Sequence, residues 1–152
     1  MPDKLVAKAK IQITSNASEV FNAIVDQEKM SNYFIEWGSG PMMEGRVVEW
    51  KFPEFNDRFK VRIGSQIMNE QILFSWGDGA EATNVVIDIK PAGDNSCIVS
   101  ISESGKENNE EGIIWMRGNT EGWANFLACL KAWVEYGINL RKGAFDFMRK
   151  LE

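Results

Sequence analysis

From residue 42 to about residue 104, apolar residues recur at every second position in five successive stretches. Turn-forming sequences rich in glycine, proline, asparagine and aspartate separate these stretches, as at 53–57, 76–79 and 91–95. Alternation with a period of two is typical of a strand with one buried face, and short turns join such strands as antiparallel hairpins. We therefore predict an antiparallel meander over this part of the chain.

The segment before the meander predicts one more strand and two helices. Residues 4–13 alternate in the same way and should form the first strand. Asn16 and Glu19 have the spacing of a helix-capping pair, so a helix should begin beside them. Residues 26–34 should form a second, shorter helix.

The segment after the meander predicts one long helix. Apolar residues step by three and four from Trp123 to Ile138, and the stripe continues through Phe145 and Met148. We expect this helix to begin at Asn119 or Thr120. Strands grouped in the middle with helices on either side predict an α+β fold, in which an antiparallel sheet curls around the final helix. A chain of 152 residues suits a single domain over 1–152.

The composition excludes several kinds of chemistry. The chain contains no histidine, so a histidine general base, a Ser-His-Asp triad and a histidine-ligated metal are impossible. Cys97 and Cys129 cannot form a four-thiolate zinc site, and their apolar neighbours favour buried, reduced thiols over the alternative of a disulfide. We expect no metal and no cofactor.

Charge and hydropathy limit the classes of partner that this protein is expected to bind. The formal net charge is −5 and the basic residues are scattered, whereas nucleic acids and anionic membranes need a clustered basic surface. Residues 1–6 lack a signal-peptide pattern, and no apolar run has the length of a membrane span. We expect a cytoplasmic protein that binds neither nucleic acid nor membrane.

Four stretches of the chain, in their order and spacing, resemble one known superfamily. The stretches are 13–24, 26–34, 70–76, which ends in Trp76, and 122–127, which begins Gly122-Trp123. Together they are similar to the START-like (Bet v-like, SRPBCC) superfamily, and most of all to its activator of heat shock protein 90 ATPase homologue branch. The resemblance implies a helix-grip fold. In that fold a curved antiparallel sheet wraps a long C-terminal helix, two short helices follow the first strand, and a cavity lies between sheet and helix.

Large aromatic residues are the candidates for lining that cavity. They occupy the apolar positions of the predicted strands and of the final helix, so they should face inward. They could surround an apolar ligand, or they could simply fill a close-packed core. The candidates are Trp50, Phe52, Phe59, Phe74, Trp76, Trp123 and Phe126.

Glu103 is the candidate polar anchor. It follows three apolar residues onto the inner face, where a carboxylate is unfavourable unless it is paired, protonated or open to a wet cavity. Arg46 precedes an apolar alternation in the same way and could be its ion partner. Alternatively, both residues are solvated at strand ends.

The apolar island at 112–118 is bracketed by glycines and follows a polar stretch expected to be a loop. Its bulky residues should rest on something, because exposed apolar surface is unfavourable. We expect Trp115 either to be a mobile gate over the cavity mouth or to be a fixed plug that completes the core.

These features favour a domain that binds an apolar or amphipathic small molecule. Two alternatives stay open. One is a co-chaperone-like interaction domain with a chaperone as its partner, which the resemblance implies. The other is a polyketide cyclase/aromatase-like enzyme, whose acid–base groups would have to come from Glu103, Glu70, Tyr33 and Arg46.

Overall fold

A computed structural model describes residues 4–149, so the first and last three residues of the expected domain lie outside the described range. Its seven strands are β1 (Lys4–Ile13), β2 (Trp37–Gly38), β3 (Val47–Lys51), β4 (Arg58–Ile67), β5 (Gln71–Trp76), β6 (Thr83–Pro91) and β7 (Cys97–Glu107). They form one antiparallel sheet in the order β1-β7-β6-β5-β4-β3-β2. The predicted meander is confirmed, and β1 joins its far edge beside β7.

The three α-helices are α1 (Ala17–Val25), α2 (Gln27–Met30) and α3 (Glu110–Tyr136). The predicted cap of α1 is present, because the Asn16 side chain accepts a bond from the Glu19 amide at 2.8 Å. Asp26 separates α1 from α2 and caps α2 by accepting from the Glu28 amide at 2.9 Å. The first short helix lies where the sequence predicts it, whereas the second is shorter than the predicted 26–34, because α2 ends at Met30 and turns follow over 31–34. The α+β helix-grip fold is confirmed.

The beginning of α3 corrects the sequence-based prediction. The helix begins at Glu110 rather than at Asn119 or Thr120, so residues 112–118 are helical and not an irregular island. Asn109 caps it by accepting from the Gly112 amide at 2.8 Å. Gly112 is needed for packing rather than for a break, since a Cβ there would lie 1.9 Å from the Glu107 carbonyl oxygen.

The end of α3 is the second correction. Gly137 adopts a left-handed conformation (φ 67°) and ends the helix, so the stripe does not continue through Phe145 and Met148. Residues 137–149 instead turn back along the molecule. Arg141 in this segment donates to Glu54 in the β3–β4 loop at 2.6 Å.

The core lies between the sheet and α3, which packs chiefly against β1 and β7. Trp123, Phe126, Leu127 and Leu130 are buried on the helix face that the sequence predicts. Both cysteines are buried and unpaired, as expected, and burial raises the pKa of each thiol. Within residues 4–149 we find no helix whose length and hydropathy would suit a bilayer span.

Candidate functional site

An open cleft of about 250 Å³ lies beside the middle of α3. Most of its surface is aromatic, and the rings come from the segment after α2, the β3–β4 loop, the end of β5 and α3. These rings belong to Phe34, Phe52, Phe55, Trp76 and Trp123. One wall is the α3 backbone at Gly118 and Gly122, and the polar lining is Asn119 and Arg141. The cleft is an apolar, aromatic recess with two polar side chains, which is a common composition for a small-molecule site.

Hydrogen bonds to Glu103 hold the aromatic floor in place. Trp76 Nε1 donates to Oε2 at 2.9 Å, and the Thr83 hydroxyl donates to the same oxygen. Trp123 Nε1 and Asn119 Nδ2 each donate to Oε1 at 2.8 Å. The two indole rings that result are stacked, with centroids 5.8 Å apart and planes 29° apart. One carboxylate therefore fixes side chains from β5, β6 and α3 around the cleft.

Glu103 faces inward, as its place in the alternation predicts, and is 1% exposed. Four neutral donors face its two oxygens, two each, and all four bonds are of the kind an ionised carboxylate accepts. These bonds offset the unfavourable burial of the carboxylate. Glu103 does not line the cleft itself. Its observed role is to orient the side chains that do.

Arg46 is not the partner of Glu103. The two residues lie in the same row of the sheet, but β3 and β7 are four strands apart, which is roughly 19 Å at the usual strand spacing. Arg46 is exposed. The sequence pattern placed both residues beside apolar alternations, but parity along a strand does not report which strands are neighbours.

Arg141 is the cation that reaches the cleft. Its guanidinium lies 5.5 Å from the ring centroids of both Phe34 and Phe52, and 4.8 Å from that of Phe145. One terminal nitrogen binds Glu54, whose side chain is 2% exposed. The Nε atom is buried with no acceptor among residues 4–149. Arg141 thus contributes an ion pair to the wall and retains an unused donor.

The predicted cavity residues separate into three groups. Phe52, Trp76 and Trp123 line the cleft. Trp50, Phe74 and Phe126 line the space between sheet and helix, where no room is left for a water molecule. Phe59 is 38% exposed at the beginning of β4, because the inner face of the sheet is uncovered at that end, and it packs on Phe52 with centroids 5.7 Å apart.

Trp115 does not line the cleft. It is half-buried within the first turns of α3, whose hydrogen bonds leave no irregular segment to swing at Gly112 and Gly118. The predicted gate required an irregular segment at 112–118, and this prediction is wrong. Trp115 does not complete the core as a plug either, since it is only half-buried and Ile113 and Ile114 beside it are 40% and 67% exposed.

The remaining acid–base candidates also lie away from the cleft. Tyr33 is buried and donates to the Ala23 carbonyl at 2.8 Å, and burial raises the pKa of its phenol well above the usual range. Glu70 is exposed. Among the described residues of the cleft lining, no pair of acid and base side chains occurs.

Sequence reasoning missed several residues of the cleft. Phe34 lies in the predicted second helix, Asn119 at the predicted beginning of the long helix and Gly118 at the end of the apolar island, and none of these patterns indicates a cleft. Phe55 and Arg141 lie in irregular segments, where no periodicity shows which way a side chain faces. The one usable signal was the Gly118–Gly122 spacing, since glycines four apart in a helix share a face.

Comparison with known proteins supports the fold. No protein-family model matches the sequence, and no curated protein sequence matches it significantly. Solved structures do match: protein SSP2350 from Staphylococcus saprophyticus has a TM-score of 0.77 at 23% identity, over 90% of this chain and 96% of that one. The Aha1 dimer from Colwellia psychrerythraea has a TM-score of 0.75 at 17% identity, over 88% and 98%.

A third similar structure is a point mutant of norcoclaurine synthase from Thalictrum flavum, in complex with a transition-state analogue. Its TM-score is 0.65 at 14% identity, over 88% of this chain and 96% of that one. At these identities the likeness shows the fold alone, and it is the helix-grip fold that the sequence resemblance implies. The chemistry of this chain has to be argued from its own residues.

Proposed function

We propose that this protein binds an apolar or amphipathic small molecule in the aromatic cleft beside α3. The observation that carries the proposal is the wall of the cleft, where two glycines leave an open recess of about 250 Å³ against a fixed aromatic floor. A recess of that size lies just below the roughly 300–1,000 Å³ that is typical of ligand sites. It suits a compound of two or three rings.

The polar lining supports an amphipathic rather than a purely apolar ligand. Arg141 and Asn119 are the polar side chains among the described residues of the cleft lining. A ligand acceptor beside the Arg141 guanidinium would form a charge-assisted hydrogen bond in addition to the ion pair with Glu54. The norcoclaurine synthase structure shows that the same fold holds a small molecule in another protein.

The interaction-domain alternative has one observation in its favour. Apolar side chains at the end of α3 and in the segment after it are exposed, which is typical of a surface that contacts a partner. These residues are Tyr136, Ile138, Leu140, Phe147 and Met148. The fold similarity to the Aha1 dimer is compatible with this reading. We retain it as the second candidate.

The cyclase-like alternative has no comparable observation. Its four acid–base candidates, Glu103, Glu70, Tyr33 and Arg46, all lie outside the cleft lining. Glu103 binds Trp76, Asn119 and Trp123 of the cleft lining, and its oxygens already accept four hydrogen bonds. We therefore propose binding rather than catalysis.

The test is a fluorescence titration with Nile red, an apolar dye that brightens when it leaves water. We expect saturable binding to the wild type and at least a tenfold loss of affinity in Gly122→Phe, whose ring would fill the cleft. Ala124→Phe is the matched control, because Ala124 is exposed on the same helix and lies outside the cleft. Equal binding by the wild type and Gly122→Phe would place the dye elsewhere and contradict the proposal.

Native mass spectrometry of protein purified from its own host gives an independent check. A retained small molecule that Gly122→Phe fails to retain would support the cleft as its site. Binding of neither a retained compound nor Nile red would favour the exposed apolar surface and a protein partner instead.

A further inference from the structure

Gly118 and Gly122 have no packing reason to be glycine. They lie four residues apart in the interior of the 27-residue α3, where glycine is among the least favourable residues. A Cβ at either position would meet no atom within 4 Å, so no neighbouring element requires close approach. Gly112 in the same helix is the contrast, because a Cβ there would lie 1.9 Å from a backbone oxygen. The effect of Gly118 and Gly122 is to leave bare backbone along one wall of the cleft.

The indole rings of the cleft lining are held in a fixed geometry. Trp76 and Trp123 are stacked, and each indole N–H is held by Glu103. Bare helix backbone and these fixed rings line one recess, which we call the slot. A planar ring can lie in such a slot and stack on the indoles, whereas a saturated ring of the same carbon skeleton is thicker and cannot stack.

The orientation of Asn119 determines which polar group it offers. Its Nδ2 donates to Glu103 Oε1 at 2.8 Å. A carboxylate that accepts four bonds cannot donate, so the amide nitrogen must face Glu103 and the amide oxygen must face away. That oxygen accepts no hydrogen bond from residues 4–149. Asn119 lines the cleft and its amide nitrogen is bound to Glu103, so the amide oxygen is the polar group that it can offer to a ligand.

Resting on the proposed function, we propose that Gly118 and Gly122 are specificity-determining residues. They leave room for a flat aromatic ring. The ligand also carries a hydroxyl group, which donates to the Asn119 oxygen. A methyl group on either glycine would narrow the slot. A ligand without a donor would leave the Asn119 oxygen without a partner as the cleft loses its water.

The experiment compares three probes of matched skeleton by isothermal titration calorimetry. 2-Naphthol is flat and has a hydroxyl donor, 2-methoxynaphthalene is flat without a donor, and decahydro-2-naphthol has the hydroxyl on a saturated skeleton. We expect 2-naphthol to bind at least tenfold more tightly than either of the others. Equal affinity for 2-naphthol and decahydro-2-naphthol would overturn the requirement for a flat ring. Equal affinity for 2-naphthol and 2-methoxynaphthalene would overturn the role of Asn119.

Two substitutions test the glycines. Gly122→Ala should weaken 2-naphthol binding at least fivefold while raising the thermal unfolding midpoint by about 2–4 °C, because alanine favours the helix. Ala124→Gly, at an exposed position outside the cleft, should lower the midpoint and leave 2-naphthol affinity unchanged. Higher stability together with weaker binding in Gly122→Ala would show that the methyl group acts on the slot, because a general effect on folding would not weaken binding while raising stability.

Unchanged 2-naphthol affinity in Gly122→Ala would overturn the inference. The Nile red titration separates this failure from that of the proposed function. If Nile red binds the wild type and is excluded by Gly122→Phe, the cleft binds ligands and only the selectivity for flat, hydroxylated rings is wrong. If Nile red does not bind, the proposed function fails and this inference fails with it.

Discussion

The interior between sheet and helix and the cleft beside α3 are built from the same kinds of residue, yet one is full and the other is open. Both are rich in aromatic rings, and Phe34 and Trp123 line both. In the interior, α3 contributes Phe126 and no space for water remains. At the cleft it contributes Gly118 and Gly122, and about 250 Å³ stays open. The size of the helix side chains, rather than aromatic content, therefore decides where a ligand can enter.

The largest expected effect is in the interior. Phe126 is 2% exposed, and its ring centroid lies 4.6 Å from that of Phe34. Phe126→Ala should lower the free energy of unfolding by about 3–5 kcal/mol, as truncation of a large buried aromatic does. Urea unfolding measures it, with the exposed Ile114→Ala expected to change stability by less than about 0.5 kcal/mol. A small loss in Phe126→Ala would mean that the interior is loosely packed and resembles the cleft.

The next effect concerns the boundary between the two regions. Glu103→Gln should lower the free energy of unfolding by about 1–3 kcal/mol, because a glutamine side chain has one acceptor oxygen where Glu103 uses two. The amide NH₂ would face either the indole N–H of Trp76 or that of Trp123, and neither indole can accept a bond. Chemical unfolding of Glu103→Gln against Glu70→Gln, an exposed control, measures the cost. Equal stability of the two variants would remove Glu103 as the organiser of the cleft floor.

The contribution of Tyr33 to stability is a smaller effect in the interior, and it depends on pH. Burial raises the pKa of Tyr33 well above its usual 10.0. The folded state then holds the phenolic proton more tightly than the unfolded state, so this contribution to stability is complete below pH 10.0 and is lost as the pH rises toward the folded pKa. Tyr33→Phe should cost about 0.5–1.5 kcal/mol at neutral pH through the lost bond to Ala23.

The check for Tyr33 is unfolding free energy measured at neutral and at strongly alkaline pH. The difference between wild type and Tyr33→Phe should shrink once the pH exceeds 10.0. A difference that stays constant with pH would show that the Tyr33 phenol is accessible to solvent in the folded state. The interior would then be less tightly closed than its packing indicates.

The smallest effect has the opposite sign and belongs to the cleft. Gly118→Ala should stabilise the protein by about 0.5–1 kcal/mol, since its Cβ enters open space and alanine favours the helix. Gly112→Ala should destabilise it, because its Cβ would collide with the Glu107 carbonyl. Thermal unfolding of the two variants gives the comparison. Destabilisation by Gly118→Ala would mean that the cleft wall is in fact packed.

The sequence by itself determined the order of elements and the inward direction of most side chains. Alternation placed Trp50, Phe74 and Glu103 on the inner face, because the period of a strand fixes which side a residue faces. Step-three and step-four spacing placed Phe126 and Leu130 against the sheet. These features depend on local geometry, which periodicity records directly.

Only the tertiary structure decided which of those residues meet. The distance between Arg46 and Glu103 depends on strand order, and the position of Arg141 depends on how residues 137–149 return after Gly137. The cleft arises because Gly118 and Gly122 share a recess with rings from segments far away in the sequence, which are those of Phe34, Phe52, Phe55 and Trp76. Glycine spacing alone does not distinguish an open wall from a close contact. That distinction depends on what stands opposite the helix, and packing between distant elements has no local signal in the chain.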